Sequence, residues 1–127
     1  MGKTAKQSLG RRGEQMAETY LKEKGFRTVK RNYRYGHGEI DLIVHNGEVL
    51  AFVEVKSFQA KPLDLPASRV HKAQQKKLIE TAYAFLAENS EFANFNVRFD
   101  VIIVDFSVYP AQITHYPAAF WLEEPFF

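Results

Sequence analysis

The dipeptide Asn46-Gly47 constrains this chain more than any other pair of residues. It separates two alternating apolar runs, Glu39–His45 and Glu48–Phe58. Asn-Gly in that setting specifies a β-hairpin with a two-residue loop, because a type I′ turn needs positive φ at both central residues. A loop over Asn46-Gly47 predicts a register in which His45 faces Glu48, Val44 faces Val49, Leu42 faces Ala51, Asp41 faces Phe52 and Glu39 faces Glu54. Side chains alternate along a strand, so Asp41 and Glu54 fall on one face as diagonal neighbours, roughly 7–8 Å apart. Lys56, two residues beyond Glu54, joins that face. Glu39, Asp41 and Glu54 beside apolar Leu50 and Phe52 would repel one another, and a bound divalent cation is an economical answer to that repulsion.

Around the hairpin the elements are readable from periodicity. A helix is predicted over Ser8–Lys24, ended by Gly25, with Leu9, Met16, Ala17, Tyr20 and Leu21 as its apolar stripe. Glu14 lies at the edge of that stripe. Strands are predicted over Phe26–Arg34, Gly38–Val44 and Glu48–Phe58. After a proline-bearing loop, Ser68 is a suitable N-cap for a helix to about Asn89, and Asn96–Phe106 reads as a buried strand. A last short strand, Gln112–Tyr116, is fenced by Pro110 and Pro117. The order α-β-β-β-α-β-β predicts an α/β domain, a mixed sheet with flanking helices, because a helix returns the chain to the sheet. Residues 1–127 form one domain in this reading, with 1–7 as a mobile basic arm and 117–127 as an aromatic tail.

Net charge is only +2, but its distribution is polar: +7 over residues 1–36, +1 over 37–77 and −6 over 78–127. A basic pole and an acidic pole would orient the molecule on a polyanion. Arg11, Arg12, Arg31 and Arg34 are phosphate-contact candidates at the basic end. Arg69, Lys72 and Lys76 form a basic line at helical spacing on the second helix, and a solvated helix face is the competing reading. Cysteine is absent, which excludes disulfides and thiolate ligands and suits a reducing, cytoplasmic setting. Apolar runs are far shorter than the roughly 18 residues of a membrane span, and no apolar leader follows the first lysines. The four histidines lack zinc-ligand spacing.

Asp41, then twelve residues, then Glu54-Val55-Lys56, resembles the D…ExK motif of the PD-(D/E)xK nuclease superfamily. The ordered set Gly13-Glu14, Arg31-Asn32-Tyr33-Arg34, GEIDLI, FVEVK and Arg98-Phe99-Asp100-Val101 is similar to the YraN-like family, related to archaeal Holliday-junction resolvases. The resemblance covers roughly residues 8–106 and implies a restriction-endonuclease-like fold. It also implies metal-dependent, structure-selective DNA endonuclease activity with Mg²⁺ or Mn²⁺. Asp41 and Glu54 match its metal-binding acids, Glu14 the acid of the first helix, Lys56 the motif lysine and Gln75 a polar helix position. Where the family often has Thr-Arg after that lysine, this chain has Ser57-Phe58, which removes one expected phosphate contact. Branched DNA is the implied partner, and a resolvase is expected to act as a homodimer so as to cut two strands symmetrically.

Phosphodiester hydrolysis explains these residue types. Negative charge builds on the phosphoryl and leaving oxygens, which a hard cation with oxygen ligands stabilises. Lys56 offers three donors and no acceptor, which suits charge neutralisation better than base work. A non-catalytic nucleic-acid-binding module with the same fold is the alternative, although such a binder gains nothing from clustered acids. His71 shares a stripe with Gln75, Leu78, Ala82 and Phe85, and Phe120, Trp121, Phe126 and Phe127 are read as cover for the domain's own core.

Overall fold

In a computed structural model, which describes residues 4–60 and 72–120, five strands form one sheet in sequence order, flanked by two helices. The elements are α1 (Ala5–Glu23), β1 (Arg27–Tyr35), β2 (Gly38–His45), β3 (Val49–Phe58), α2 (Lys72–Glu88), β4 (Asn96–Asp105) and β5 (Gln112–Phe120). Neighbours are antiparallel except β3 and β4, which run parallel because α2 carries the chain back across the sheet. The mixed α/β architecture matches the sequence reading.

The sheet is buried on both faces. Ala17 and Leu21 of α1 pack on Leu42, Val44, Ala51, Val53, Ile102 and Val104. Leu78, Ile79, Ala82 and Phe85 of α2 pack on Ile43, Leu50, Phe52, Val101 and Ile103. Buried on both sides, β3 and β4 read as near-continuous apolar runs. At Gly13 α1 lies close against the sheet: a Cβ there would overlap the Ser57 side chain of β3. That contact accounts for a glycine in a helix interior, where it costs about 1 kcal/mol against alanine.

Several element ends differ from expectation by one residue, the expected N-cap Ser68 lies outside the described residues, and three larger differences remain. The helix begins at Ala5, not Ser8: Thr4 Oγ1 accepts the Gln7 N–H at 3.1 Å and Gln7 Oε1 accepts the Thr4 N–H at 3.1 Å, a reciprocal cap. Part of the expected arm is therefore the first turn of α1. The aromatic tail likewise begins later, since β5 passes through Pro117 to Phe120. It can do so because β5 is an edge strand. Beside that proline Ala118 takes φ 52, and its N–H is drawn 3.0 Å from Asp100 Oδ1. Asp100 is 1% exposed and also accepts from Arg98 Nε at 2.9 Å, with His115 Nε2 at 2.8 Å. His115 Nδ1 in turn meets the Tyr20 hydroxyl at 3.3 Å, so one buried carboxylate ties β4, β5 and α1 together. The third difference lies in the central hairpin. Only Gly47 has positive φ, at 96°, and Asn46 stands opposite Val49, with its N–H 3.2 Å from the Val49 oxygen. The loop is thus Gly47-Glu48, with glycine first as a type II′ turn requires. Asn46 Oδ1 accepts the N–H groups of Glu48 and Val49 at 3.0 and 2.8 Å, which fixes Asn46 at the strand end rather than in the loop.

Candidate active site

The turn correction moves the β2–β3 register by two residues. Val44 pairs with Ala51, not Val49, and Leu42 pairs with Val53, not Ala51. A shift of two leaves each side chain on its face, so Asp41 and Glu54 stay together, as direct opposites instead of diagonal neighbours. Pairing stops at the Leu42–Val53 rung. Beyond it β2 continues with β1 alone as far as Gly38, and β3 continues with β4 as far as Phe58. The strands part there, and Asp41 and Glu54 are the first residues inside the fork.

Strict alternation, which the sequence argument assumed, fails one strand away. The Arg31–Leu42 rung faces α1: Arg31 Nη2 lies 2.6 Å from Glu18, and Leu42 packs with Ala17 and Leu21. The Tyr33–Ile40 rung faces α2: the Tyr33 hydroxyl donates to Glu88 at 2.6 Å, and Ile40 packs with Leu78 and Phe85. Rungs two residues apart should share a face. The reversal occurs at Asn32, which has φ 51, opposite Asp41. Asp41 thereby meets acids from both sides of the sheet.

Its carboxyl lies beside that of Glu54, and its Oδ2 accepts the Val55 N–H at 2.8 Å. Burial, then the Glu54 charge, push the Asp41 pKa up to about 8 from its ordinary 3.8, against the pull of the Val55 N–H. Glu14 approaches from α1. Burial raises its pKa, with the charges of Asp41 and Glu39 adding to the rise, while the Asn32 side chain and Arg11 oppose it. From α2, Gln74 Nε2 donates to Glu54 Oε2 at 2.6 Å. Lys56 follows Glu54 on β3 and is half-buried.

The structure thus brings Asp41 and Glu54 together, with Glu14 approaching from α1 and Lys56 on the adjacent stretch of β3. Glu39 does not pair with Glu54 as expected. It lies opposite Arg34 of β1, and the two form an ion pair at 2.6 Å. Gln75 is half-buried on α2, and its neighbour Gln74 contacts Glu54. Counting back from Leu78 by three gives Gln75 and by four gives Gln74, and both spacings share a helix face. Asn32 and Gln74 are the site residues the sequence reading passed over; the Gln74-Gln75 pair was the available signal for one, and nothing in periodicity signals the other.

Among the described residues no three His, Cys, Asp or Glu side chains converge as a ready coordination group. Two carboxylates do, and one or two carboxylates with retained waters is the set Mg²⁺ takes. Clefts beside Glu14 are lined by Arg11 with Arg31 and Asn32, and by Arg11 with Arg34 and Glu39. Arg31 and Arg34 are each tied to an acid, at Glu18 and Glu39. Arg12 lies 4.7 Å over the Phe106 ring and lines a separate groove with Met16 and Ile113. Lys72 and Lys76 are exposed on α2, and Arg69 and His71 lie outside the described residues, as do residues 121–127.

A family model described as "Uncharacterised protein family UPF0102" matches residues 13–104, from Gly13 into β4. The chain belongs to that family. A UPF0102 protein of Chlorobium chlorochromatii is 39% identical over 122 residues, covering 91% of this chain and 93% of the relative. Another, from Rhodopseudomonas palustris, is 43% identical over 107 residues, covering 84% and 76%. Among solved structures, Hjc of Archaeoglobus fulgidus, described as a Holliday junction resolvase, superposes with a TM-score of 0.50 at 20% identity, over 86% of this chain and 77% of its own. That likeness establishes the restriction-endonuclease-like fold for this UPF0102 chain. No described helix is long and apolar enough to cross a membrane.

Proposed function

We propose that this protein is a metal-dependent, structure-selective DNA endonuclease that hydrolyses phosphodiester bonds at branched substrates. The observation that supports the reading best is the carboxyl pair at the fork. Asp41 and Glu54 touch where two strands part, and burial beside Glu54 raises the Asp41 pKa to about 8. Such a pair destabilises the folded chain and is of use to a protein that places a cation there. Asp41 and Glu54 would hold Mg²⁺ or Mn²⁺, with Glu14 on the α1 side. The ion, when bound, would stabilise negative charge on the phosphoryl oxygens.

The remaining work falls to this chain's side chains. Gln74 donates to one oxygen of Glu54 and would orient that carboxylate for the cation. Lys56 neutralises charge that develops during hydrolysis. Arg11, beside Glu14 on α1, and Lys72 and Lys76, exposed on α2, are suited to a phosphate backbone. The name of the similar archaeal structure makes a four-way DNA junction the first substrate to try, and a homodimer the expected form.

The experiment is cleavage of a panel of junction, flap, nicked and linear DNAs with Mg²⁺ or Mn²⁺, with Asp41→Asn as control. Cleavage by the parent alone supports the proposal. Salt-sensitive binding without cleavage under any metal condition would replace it with the binding-module reading.

A further inference from the structure

Asn32 occupies a position no strand residue adopts without cause. It is the point in β1 where the facing of the side chains reverses, its φ is 51°, and it is the residue skipped between the Arg31–Leu42 and Tyr33–Ile40 rungs, opposite Asp41. Reversal turns Arg31 and Asn32 toward the same helix: Arg31 reaches Glu18 of α1, and Asn32 lines both clefts beside Glu14, one helical turn earlier. A positive φ alone would be met best by glycine, which carries no side chain to strain. Asparagine tolerates the same backbone and adds an amide that donates to a carboxylate.

We infer that Asn32 is a positioning residue, whose amide holds the Glu14 carboxylate in the α1-side cleft where it can serve the cation site of Asp41 and Glu54. The inference rests on the metal-site reading above. Glu14 has no strand ladder to fix it, and a helix side chain with three rotatable bonds is ordered by what it touches. The Asn32 amide is placed to be that contact: it lines both clefts with Glu14 and opposes the rise in the Glu14 pKa, as a donor to the carboxylate does. Groups that orient metal ligands in this way are typically worth 10–100-fold in metal affinity.

The test is calorimetric titration of the full chain with Mn²⁺, without DNA, on the parent, Asn32→Gly, Glu14→Gln, their double variant and Asp41→Asn, each with its melting temperature. Glycine accepts the left-handed backbone, so Asn32→Gly should melt no lower than the parent. It should bind Mn²⁺ about tenfold more weakly. Glu14→Gln should lose at least as much, and the double variant should lose no more than Glu14→Gln alone, the signature of two residues acting through one contact. Parent-like Mn²⁺ affinity in Asn32→Gly, or additive losses in the double variant, overturns the inference and leaves the metal site standing. If Glu14→Gln is silent while Asp41→Asn abolishes binding, Glu14 is not a metal acid and the role of Asn32 falls with it. If Asp41→Asn is silent as well, the metal-site reading itself has failed.

Discussion

Asp41 Oδ2 accepts the backbone N–H of Val55 at 2.8 Å, so a side chain of β2 takes up the β3 donor just past the last rung between the two strands. The bond does two things at once. It satisfies a backbone group at the mouth of the fork, and it fixes Asp41 against Glu54.

That closeness makes stability pH-dependent in a direction opposite to most surface acids. Asp41 holds its proton up to about pH 8 in the folded chain and releases it near 3.8 when unfolded. Folding therefore takes up a proton between those values, and stability falls as pH rises through that window. The Asp41 contribution is complete below the unfolded value and is lost as pH passes the folded one. In chelator, the parent should melt lower at pH 9 than at pH 5, and Asp41→Asn should remove most of that drop, gaining about 4 °C or more at pH 9. An equal offset between the two proteins at both pH values would reject the argument.

Gln74 should matter to the site. Gln74→Ala frees Glu54 Oε2 from its donor, and Mn²⁺ affinity should fall by about tenfold. Titration of the variant beside the parent measures the loss, and parent-like affinity would take the role from Gln74.

Lys56→Met should leave binding of branched DNA within a few-fold of the parent and reduce cleavage by roughly 10²–10³, the usual loss when one preorganised charge-stabilising group is removed. Single-turnover cleavage beside a binding isotherm measures both. Equal cleavage by parent and variant would take the role from Lys56 without touching the fold.

Asp100 should govern stability and not the site. Its fully buried carboxylate meets Arg98, His115 and the Ala118 N–H, so Asp100→Ala strands a partly buried guanidinium and an imidazole. The expected cost is about 3–5 kcal/mol in urea unfolding. Mn²⁺ affinity of the protein that remains folded should be unchanged, and a parallel loss of affinity would tie this network to the acids.

Much of this was legible in residues alone, and the failures are physical. Helices, strands and their order follow from periodicity, and the turn chemistry of Asn46-Gly47 located the hairpin to within one residue. What it missed was which side of Asn46 the loop lies on, decided by the Asn46 carboxamide bonding the turn's own N–H groups. Asp41 and Glu54 were placed together because an error of two in register preserves parity. Glu39 was misplaced because parity arguments presume unbroken alternation. The break at Asn32 has no periodic signature; it is a single left-handed residue in an otherwise ordinary strand. Pro117 was read as a fence because sequence does not say which strand lies at an edge.

The reversal at Asn32 and Asp41 also sets where this chain can change length. The turns at Gly36-His37 and Gly47-Glu48 lie outside it, so an insertion there lengthens a loop and leaves every rung in place. One residue gained or lost between Asp41 and Leu42 would instead exchange the two sides of the sheet for everything from Gly38 to Asp41. Ile40 would leave the α2 core and Glu39 would enter it. Natural variation in this stretch should therefore appear as substitution, with insertions and deletions confined to the two tips.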